Sequence, residues 1–565
     1  MTSTTARLLL LAALVGCTSP TAAQTSSADR ARDRNELRHL TLLSVETGRL
    51  APGETTCLGL ALERGEFTRI SIDADAGFLR ARILEPQQHD PLQTTLIWSF
   101  SPSLPLAIEA PESGLYLVEL SVPTPVPFDD VLNYQVQMSD RVSAAARAAH
   151  LEDLRRDPRV ASLRESAVPV RSIDPNDTDF ADLEFLREAL RDVRIVLLGE
   201  GDHGGGSDVL AKTRLTKFLH QEMGFDVVAF EAGLYSSAVA WRALQTEQDP
   251  REAALKGLLG ILARSAQAES LIRYLYSSAR SSRPLELAGF DSQLTGTAAP
   301  DLLRDLRRFL RERDIPSPLL DDHISPTRVL AGIIDRRFAR EPETLPGATE
   351  QAEAVETLRA TAEEVASRSA DRDGSFWAQV LRSTAVQIDL SLESLRGASH
   401  AQYGSGRDRQ MSENLLWLTN TRYRGDKIVV WTHTSHSMRS PRETSHGRVQ
   451  GFTMGHGLWQ ALGEESFAIS FTSYDGTTHW LTQPDGLDQE VIPDQHPSWE
   501  FEELMNAVGH ELAFVNLRAA RARGDWLGGS FLASALYLMP EHARWSDALD
   551  ALFFIRTQEP RREAR

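Results

Sequence analysis

Cysteine is almost absent from this chain of 565 residues, which contains only two, Cys17 and Cys57. So few cysteines exclude a cysteine-based zinc site and dithiol redox chemistry. If Cys17 is consumed by the lipidation considered below, no intrachain disulfide is possible. A chain of this length does not need one, because its hydrophobic core can be large.

Basic residues are also outnumbered, since 60 Lys and Arg stand against 79 Asp and Glu and leave a net charge of −19. Phosphate backbones and anionic lipid surfaces repel a protein of this charge. We therefore expect no nucleic-acid partner, and contact with a membrane only through a covalent lipid. The sequence leaves the oligomeric state open.

The chain begins with an apolar run that is too short for a permanent bilayer span. This run, Leu8 to Val15, follows the single charge Arg7, whereas a spanning helix needs about 20 apolar residues. The segment therefore indicates targeting rather than structure.

Two targeting signals fit this segment. Residues 1–17 resemble a bacterial lipoprotein signal, whose cleavage leaves Cys17 as the lipidated first residue. The alternative is an ordinary signal peptide that is cut after Ala23. In both cases we expect an exported protein, either a cell-envelope lipoprotein facing the periplasm or the outside, or a soluble secreted or periplasmic protein. Residues 18–38 would form a flexible tether.

The remaining composition is globular, with 41% hydrophobic and 25% charged residues, and the chain is too long for one core. Residues 40–140 contain short alternating runs between Pro, Gly and Asp, which predict a small β-sandwich of jelly-roll type. Residues 141–171 read as a helical linker. We find no catalytic constellation in the predicted β-sandwich.

From residue 172 to about 560 the sequence pattern changes and predicts an alternation of strands and helices. Short runs rich in Val, Ile and Phe are typical of buried parallel strands, and amphipathic segments lie between them. Residues 300–400 are almost entirely helical in pattern. The fold class is therefore α/β, a mainly parallel sheet with a helical insertion. The predicted strands are VRIVLLGE, FDVVAFEA, LELAGFD, KIVVWTH, FAISFTSY and DALFFIR.

Ionisable residues follow these strands in succession. Active sites of open α/β sheets lie beyond the carboxyl ends of the strands. Because parallel strands bring these ends to one edge, the residues are expected to meet in a cleft. In strand order they are Glu200 and His203, then Glu231, then Asp291, then His433 and His436, then Asp475 and His479.

The first of these turns, GEGDHGGG, also matches the dinucleotide fingerprint G-x-G-x-x-G. A pyrophosphate at this turn would be repelled by Glu200 and Asp202, so we reject that interpretation. No Gly-Lys-Ser/Thr sequence follows, which excludes a P-loop. The glycines instead allow a sharp turn that exposes polar side chains. His203 beside a carboxylate is a candidate general base, although it could simply cap the next helix.

Two other chemistries compete with this interpretation of the same edge. No G-x-S-x-G turn stands at a strand end, which argues against a serine nucleophile. Four of the side chains are acceptable zinc or manganese ligands, so a metal-dependent hydrolase remains an alternative. These four are Glu200, His203, Glu231 and His433.

Five separated blocks between residues 175 and 560 resemble the erythromycin esterase family. The family pattern often reads GExTHG, and Gly201 and Asp202 replace its middle pair here. Family members usually carry an acidic residue shortly after this motif. Here Ser207 stands at that position, or the acidic residue is shifted to Asp208. The blocks are GExxHG at 199–204, Lys212 with Arg214, Phe230-Glu231, RDRQMSENLLWL at 407–418 and WTHTSH at 431–436.

The resemblance implies an α/β hydrolase without a cofactor that opens the lactone ester of macrolides, and hence an antibiotic-resistance enzyme. By the same resemblance the catalytic residues are His203 as general base on water, Glu200 and Glu231 as orienting carboxylates, and His433. A haem- or ligand-binding protein of the related fold, without turnover, is the remaining alternative. Candidate contacts to a small-molecule ester or lactone are Lys212, Arg214, Asp291, Arg407, Asp408, His436 and His456.

Overall fold

The computed structural model describes residues 38–75, 78–86, 91–98, 103–122, 131–439, 451–478, 490–491, 501–536 and 538–564. The predicted signal, Cys17 with its lipid, nearly all of the tether and His479 lie outside these residues.

The first described unit is a β-sandwich of two sheets. Alternation in the sequence builds it: along FTRISIDA, Ile70 and Ile72 are fully buried in the sandwich core. The strand orders are β1-β3-β8-β5-β6 and β2-β9-β4-β7. The bounds are β1 Arg38–His39, β2 Val45–Leu50, β3 Thr55–Leu62, β4 Phe67–Ala74, β5 Phe78–Leu84, β6 Pro91–Trp98, β7 Ser103–Glu109, β8 Gly114–Ser121 and β9 Leu132–Val142.

Two helices follow the sandwich where the linker was predicted, α1 at Ala144–Arg155 and α2 at Pro158–Ser166. Ser143 and Asp157 cap them, and each side chain accepts a hydrogen bond from a backbone N–H of the first turn. The chain then enters the main sheet through a short strand, β10, at Ala167–Pro169.

The main sheet has the order β10-β17-β20-β15-β11-β14-β12-β13, and the central strands from β20 to β13 pair in parallel. The six strands predicted from the sequence are all present. Two strands at one end of the sheet, β10 and β17, were not predicted; β17 pairs antiparallel with both β10 and β20. The bounds are β11 Ile195–Glu200, β12 Phe225–Gly233, β13 Glu286–Asp291, β14 Lys427–His433, β15 Ser466–Thr478, β16 Glu490–Val491 (which pairs with β15), β17 Leu512–Asn516, β18 Phe531–Leu536, β19 Met539–Ala543 (a hairpin with β18) and β20 Ala551–Gln558.

Helices cover both faces of this sheet, and residues 300–400 are helical as predicted. No helix among the described residues is long and apolar enough to cross a membrane. The bounds are α3 Leu186–Ala189, α4 Gly206–Met223, α5 Leu234–Thr246, α6 Pro250–Leu255, α7 Gly260–Ala263, α8 Glu269–Ser278, α9 Leu302–Glu312, α10 Ser325–Ile334, α11 Arg337–Arg340, α12 Ala348–Arg368, α13 Arg372–Leu395, α14 His400–Trp417, α15 Thr434–Ser437, α16 Met454–Leu462, α17 Phe501–Val508, α18 Leu517–Arg523 and α19 Trp545–Ala548.

The parallel register sets where the site forms. Glu200 and His433 are paired neighbours at the ends of β11 and β14, and Asp291 ends β13 on the far side of β12. Four adjacent strands therefore deliver ionisable side chains to the same edge of the sheet, beyond their carboxyl ends.

Candidate active site

A histidine and a carboxylate form a dyad at the end of β11. His203 Nδ1 lies 3.0 Å from Glu200 Oε1. Glu200 is buried, whereas the His203 side chain is 28% exposed, so the pair has one face toward solvent. A carboxylate that accepts from Nδ1 fixes the ring and its tautomer.

Lys212 holds Glu200 in its ionised form. Its ammonium, on the second turn of α4, donates to Glu200 Oε2. Burial alone would raise the pKa of Glu200, but the charge of Lys212, aided by the His203 hydrogen bond, lowers it to about 2. Glu200 is therefore a carboxylate at neutral pH and accepts a hydrogen bond from the imidazole.

Lys212 itself is fully buried, which corrects its predicted role as a substrate contact. Its ammonium also donates to the carbonyl of Thr432 at 3.1 Å and lies 4.5 Å from the centre of the Trp431 ring. Burial lowers the pKa of Lys212, and the negative charge of Glu200 offsets part of this decrease. Its hydrogen bonds serve the protein, so we assign Lys212 the task of positioning Glu200.

A second cluster surrounds Arg407, on α14. Its guanidinium donates to Asp291 Oδ1 at 3.0 Å and Oδ2 at 2.6 Å, and to Glu231 Oε1 at 2.8 Å. Glu231 Oε2 accepts from the Thr432 hydroxyl at 2.8 Å and from the His433 N–H at 3.1 Å. Arg407 thus joins the ends of β12 and β13, as a bidentate ion pair can.

His436 connects this cluster to Asp408. Its Nδ1 lies 2.9 Å from Asp408 Oδ1, and its Nε2 lies 3.4 Å from Glu231 Oε1. Burial would lower the pKa of His436, but Asp408 and then Glu231 raise it to about 10. His436 is therefore an imidazolium at neutral pH, which makes Glu231 rather than Arg407 the partner of its Nε2–H.

His433 is held as a neutral ring, which changes its predicted catalytic role. Its Nδ1 accepts from the backbone N–H of Ser435 at 3.1 Å, and its Nε2 donates to the carbonyl of Gly201 at 3.0 Å. Burial and the neighbouring His203 lower the pKa of His433 to about 3. The ring centroid lies 4.9 Å from that of His203. We assign His433 the task of fixing the turn that carries His203.

The glycine-rich turn allows close approach of the C-terminal segment. A Cβ on Gly206 would lie 2.6 Å from the carbonyl oxygen of Pro560, which no side chain tolerates. The first turn of α4 also carries Asp208, which accepts from Gln558 Nε2 at 2.8 Å. Burial raises the pKa of Asp208 to about 7, although the Gln558 hydrogen bond opposes this.

A narrow cavity of about 30 Å³ adjoins the dyad. It has room for about two water molecules. Its polar wall is formed by Glu200, His203, Glu231, Thr432 and Arg561. Its apolar wall is formed by Phe230, Ala232, Leu258, Leu259, Ile261, Leu262 and Trp431. Arg561 was not singled out in the sequence, because no local pattern marks it.

Two further predictions are corrected by the structure. Arg214 is buried on another face of α4, where it donates to Asp182 at 2.7 Å and contacts the Phe180 ring. His456 lies on α16, and its Nδ1 is 2.8 Å from the carbonyl oxygen of Arg439. Neither residue lines the described cavity. Among the described residues, no group of three or more His, Cys, Asp or Glu is placed to hold a metal ion.

Comparison with known proteins places the chain in a family. The profile of the family described as Erythromycin esterase matches residues 220–558. YbfO of Bacillus subtilis (strain 168), which carries a hydrolase name, is 24% identical over 358 residues, 61% of this chain and 78% of YbfO. Erythromycin esterase type II of Escherichia coli is 20% identical over 328 residues, 56% of this chain and 77% of that enzyme.

Solved structures share the fold. A Bacillus cereus protein superposes with a TM-score of 0.59 at 17% identity, over 74% of this chain and 99% of that one. An erythromycin esterase mutant in its open conformation superposes with a TM-score of 0.53 at 19% identity, over 70% of this chain and 98% of that one.

Proposed function

Because the chain belongs to the erythromycin esterase family and is a hydrolase of a small-molecule substrate, we propose that it cleaves an ester or lactone with a water molecule activated by His203. The observation that carries this proposal is the His203–Glu200 dyad beside a cavity with room for about two water molecules. No cofactor is needed in this scheme.

The ionised Glu200 accepts the Nδ1–H of His203, so Nε2 is the basic nitrogen. Nε2 takes a proton from water while the water oxygen attacks the ester carbonyl and forms a tetrahedral oxyanion. The bond to the alcohol oxygen then breaks, and the protonated Nε2 returns its proton to that oxygen. The products are one carboxylic acid and one alcohol, joined in the same molecule if the substrate is a lactone. General base catalysis of this kind contributes about 10²- to 10⁴-fold to the rate.

The cavity walls support an uncharged, apolar ester as the substrate. Seven of the residues that line the cavity are apolar, Trp431 and Phe230 among them. The ester group of a macrolide is uncharged and belongs to a largely apolar ring, which makes macrolide lactones the first substrate class to test.

The test is hydrolysis of a panel of esters and macrolide lactones, with and without a chelator. We expect His203→Ala to abolish turnover and the wild type to keep its activity with chelator. His323→Ala is the matched control, because His323 is exposed and lies outside the cavity. Loss of wild-type activity to chelator would instead indicate a metal-dependent hydrolase. No turnover together with a Soret band on haem titration would indicate a binding protein.

We also propose that the protein is exported and anchored through a lipid on Cys17. Cys17→Ala should then release it from the membrane fraction, which immunoblotting of fractionated cells measures. Unchanged membrane association of this variant would contradict the anchor.

A further inference from the structure

The C-terminal segment, residues 559–564, packs directly against the catalytic turn. The Gly206 N–H donates to the carbonyl of Glu559 at 2.7 Å, and the Arg561 N–H donates to the carbonyl of Gly204 at 2.9 Å. Gly205 and Pro560 form a β-bridge between these two bonds. The backbone of the segment is therefore tied to the same turn that carries His203.

The other edge of the segment is tied to the chain around α7. The Ala266 N–H donates to the carbonyl of Arg562 at 2.7 Å, and the Ala564 N–H donates to the carbonyl of Arg264 at 2.8 Å. Hydrogen bonds on both edges fix the segment as a strand-like insert between the two elements. The position of the Arg561 backbone is set by these bonds.

This insert directs the side chain of Arg561 into the active site. The side chain is 2% exposed, and its guanidinium donates to the carbonyls of Ile261 at 3.3 Å and Gly205 at 3.5 Å. Its Nη2 lies 4.0 Å from Glu200 Oε1, the oxygen that is bonded to His203. Among the described residues that line the cavity, Arg561 is the only Lys or Arg.

Hydrolysis at this site needs a donor for the negative oxygen of the intermediate, and the donor has to line the cavity. The tetrahedral intermediate carries a negative oxygen, and donors aimed at that oxygen are the largest single contribution in many hydrolases. Lys212 donates to Glu200 and Thr432, and Arg407 donates to Glu231 and Asp291. Neither lines the described cavity.

We propose that Arg561 is a catalytic residue whose guanidinium stabilises the oxyanion of the substrate. This assignment rests on the proposed ester hydrolysis. The match to the family profile ends at residue 558, so the insert lies beyond the matched segment. The assignment of Arg561 therefore rests on the geometry of the insert and not on the family resemblance.

The test compares neutral and charged replacements of Arg561 in the full-length protein. We expect Arg561→Met and Arg561→Gln to lower kcat about 10²- to 10³-fold, as loss of an oxyanion donor does, with KM within a few-fold. Arg561→Lys should keep more activity than either. The matched control is Arg562→Gln, because the Arg562 side chain is 67% exposed. Its activity should equal that of the wild type.

Chemical rescue separates a catalytic charge from a structural one. Guanidinium chloride at millimolar concentration should raise the kcat of Arg561→Ala at least tenfold and leave that of His203→Ala unchanged. Wild-type kcat in Arg561→Met or Arg561→Gln would overturn the proposal, as would equal losses in the Lys and neutral variants without rescue. Should Arg561→Met fail to fold, Arg561→Gln decides, because its amide can still donate to the Ile261 carbonyl. A fully active His203→Ala protein would instead refute the ester-hydrolysis mechanism itself.

Discussion

Replacing Lys212 by Met is the sharpest test of how the buried charges of the site are balanced. Met is similar in length and apolar, so the substitution removes the ammonium and leaves little empty space. Glu200 would then be buried with its main counter-charge removed. Arg561, at 4.0 Å, and the hydrogen bond from His203 would remain.

The pKa of Glu200 sets the size of the effect. Its change from 4.5 to about 2 corresponds to about 3 kcal/mol of stabilisation of the native carboxylate. Breaking a buried ion pair by removing one partner costs about 3 to 5 kcal/mol. We expect Lys212→Met to lower the free energy of unfolding by about 3 kcal/mol at pH 7.

The loss should depend on pH in a defined direction. A native carboxylate of lowered pKa stabilises the fold above its unfolded pKa, and this stabilisation disappears as the pH falls through the native value. The difference between wild type and variant should therefore shrink as the pH falls toward the native pKa of Glu200, about 2. Urea unfolding followed by tryptophan fluorescence at several pH values measures it.

Lys217→Met is the matched control on the same helix. The Lys217 ammonium donates to the carbonyl of Pro175 at 2.7 Å and to the hydroxyl of Ser270 at 2.9 Å, and not to a carboxylate. The Lys217→Met substitution should lower the free energy of unfolding by about 1 kcal/mol. This loss should not change as the pH falls. A Lys212→Met protein within about 1 kcal/mol of wild type at pH 7 would refute the reasoning. So would a difference that stays constant down to pH 3.

Three further changes test other parts of the site and sheet. Burial raises the pKa of Glu502 to about 7, so Glu502→Gln should stabilise the fold by about 3 kcal/mol at pH 8. That gain should vanish below pH 4.5, and a gain that persisted in urea titrations there would contradict the assignment. Asp408→Asn should lower the pKa of His436 from about 10, and an unchanged NMR titration of the ring would contradict the pairing. His433→Gln should keep more activity than His433→Ala, which is expected to lose about 100-fold through displacement of the turn at Gly201; equal kcat values would argue against a positioning role.

The strands and their ends could be predicted because they follow local rules. Buried parallel strands need continuous apolar runs, and their carboxyl ends meet at one edge. These rules predict that Glu200, Glu231, Asp291 and His433 lie together, as they do at the end of the sheet strands. The outer strands β10 and β17 could not be predicted because they are only three and five residues long.

The side chains that act across the chain could not be predicted in the same way. Arg561 lies in a polar tail without periodicity, and its place depends on where that tail runs after β20. The position of Arg214, in contrast, could have been predicted from the sequence. Residues two apart on a helix point to different faces, so Lys212 and Arg214 cannot both face one site.

The most direct test of the mechanism is a double-mutant cycle on kcat with the best substrate of the panel. The proteins are wild type, His203→Ala, Glu200→Gln and the double variant, each verified to be folded. If Glu200 acts through His203, the double variant should be no slower than His203→Ala, because residues that act as a unit are not additive. A His203→Ala protein with wild-type kcat, or losses that multiply in the double variant, would contradict the dyad as the catalytic unit.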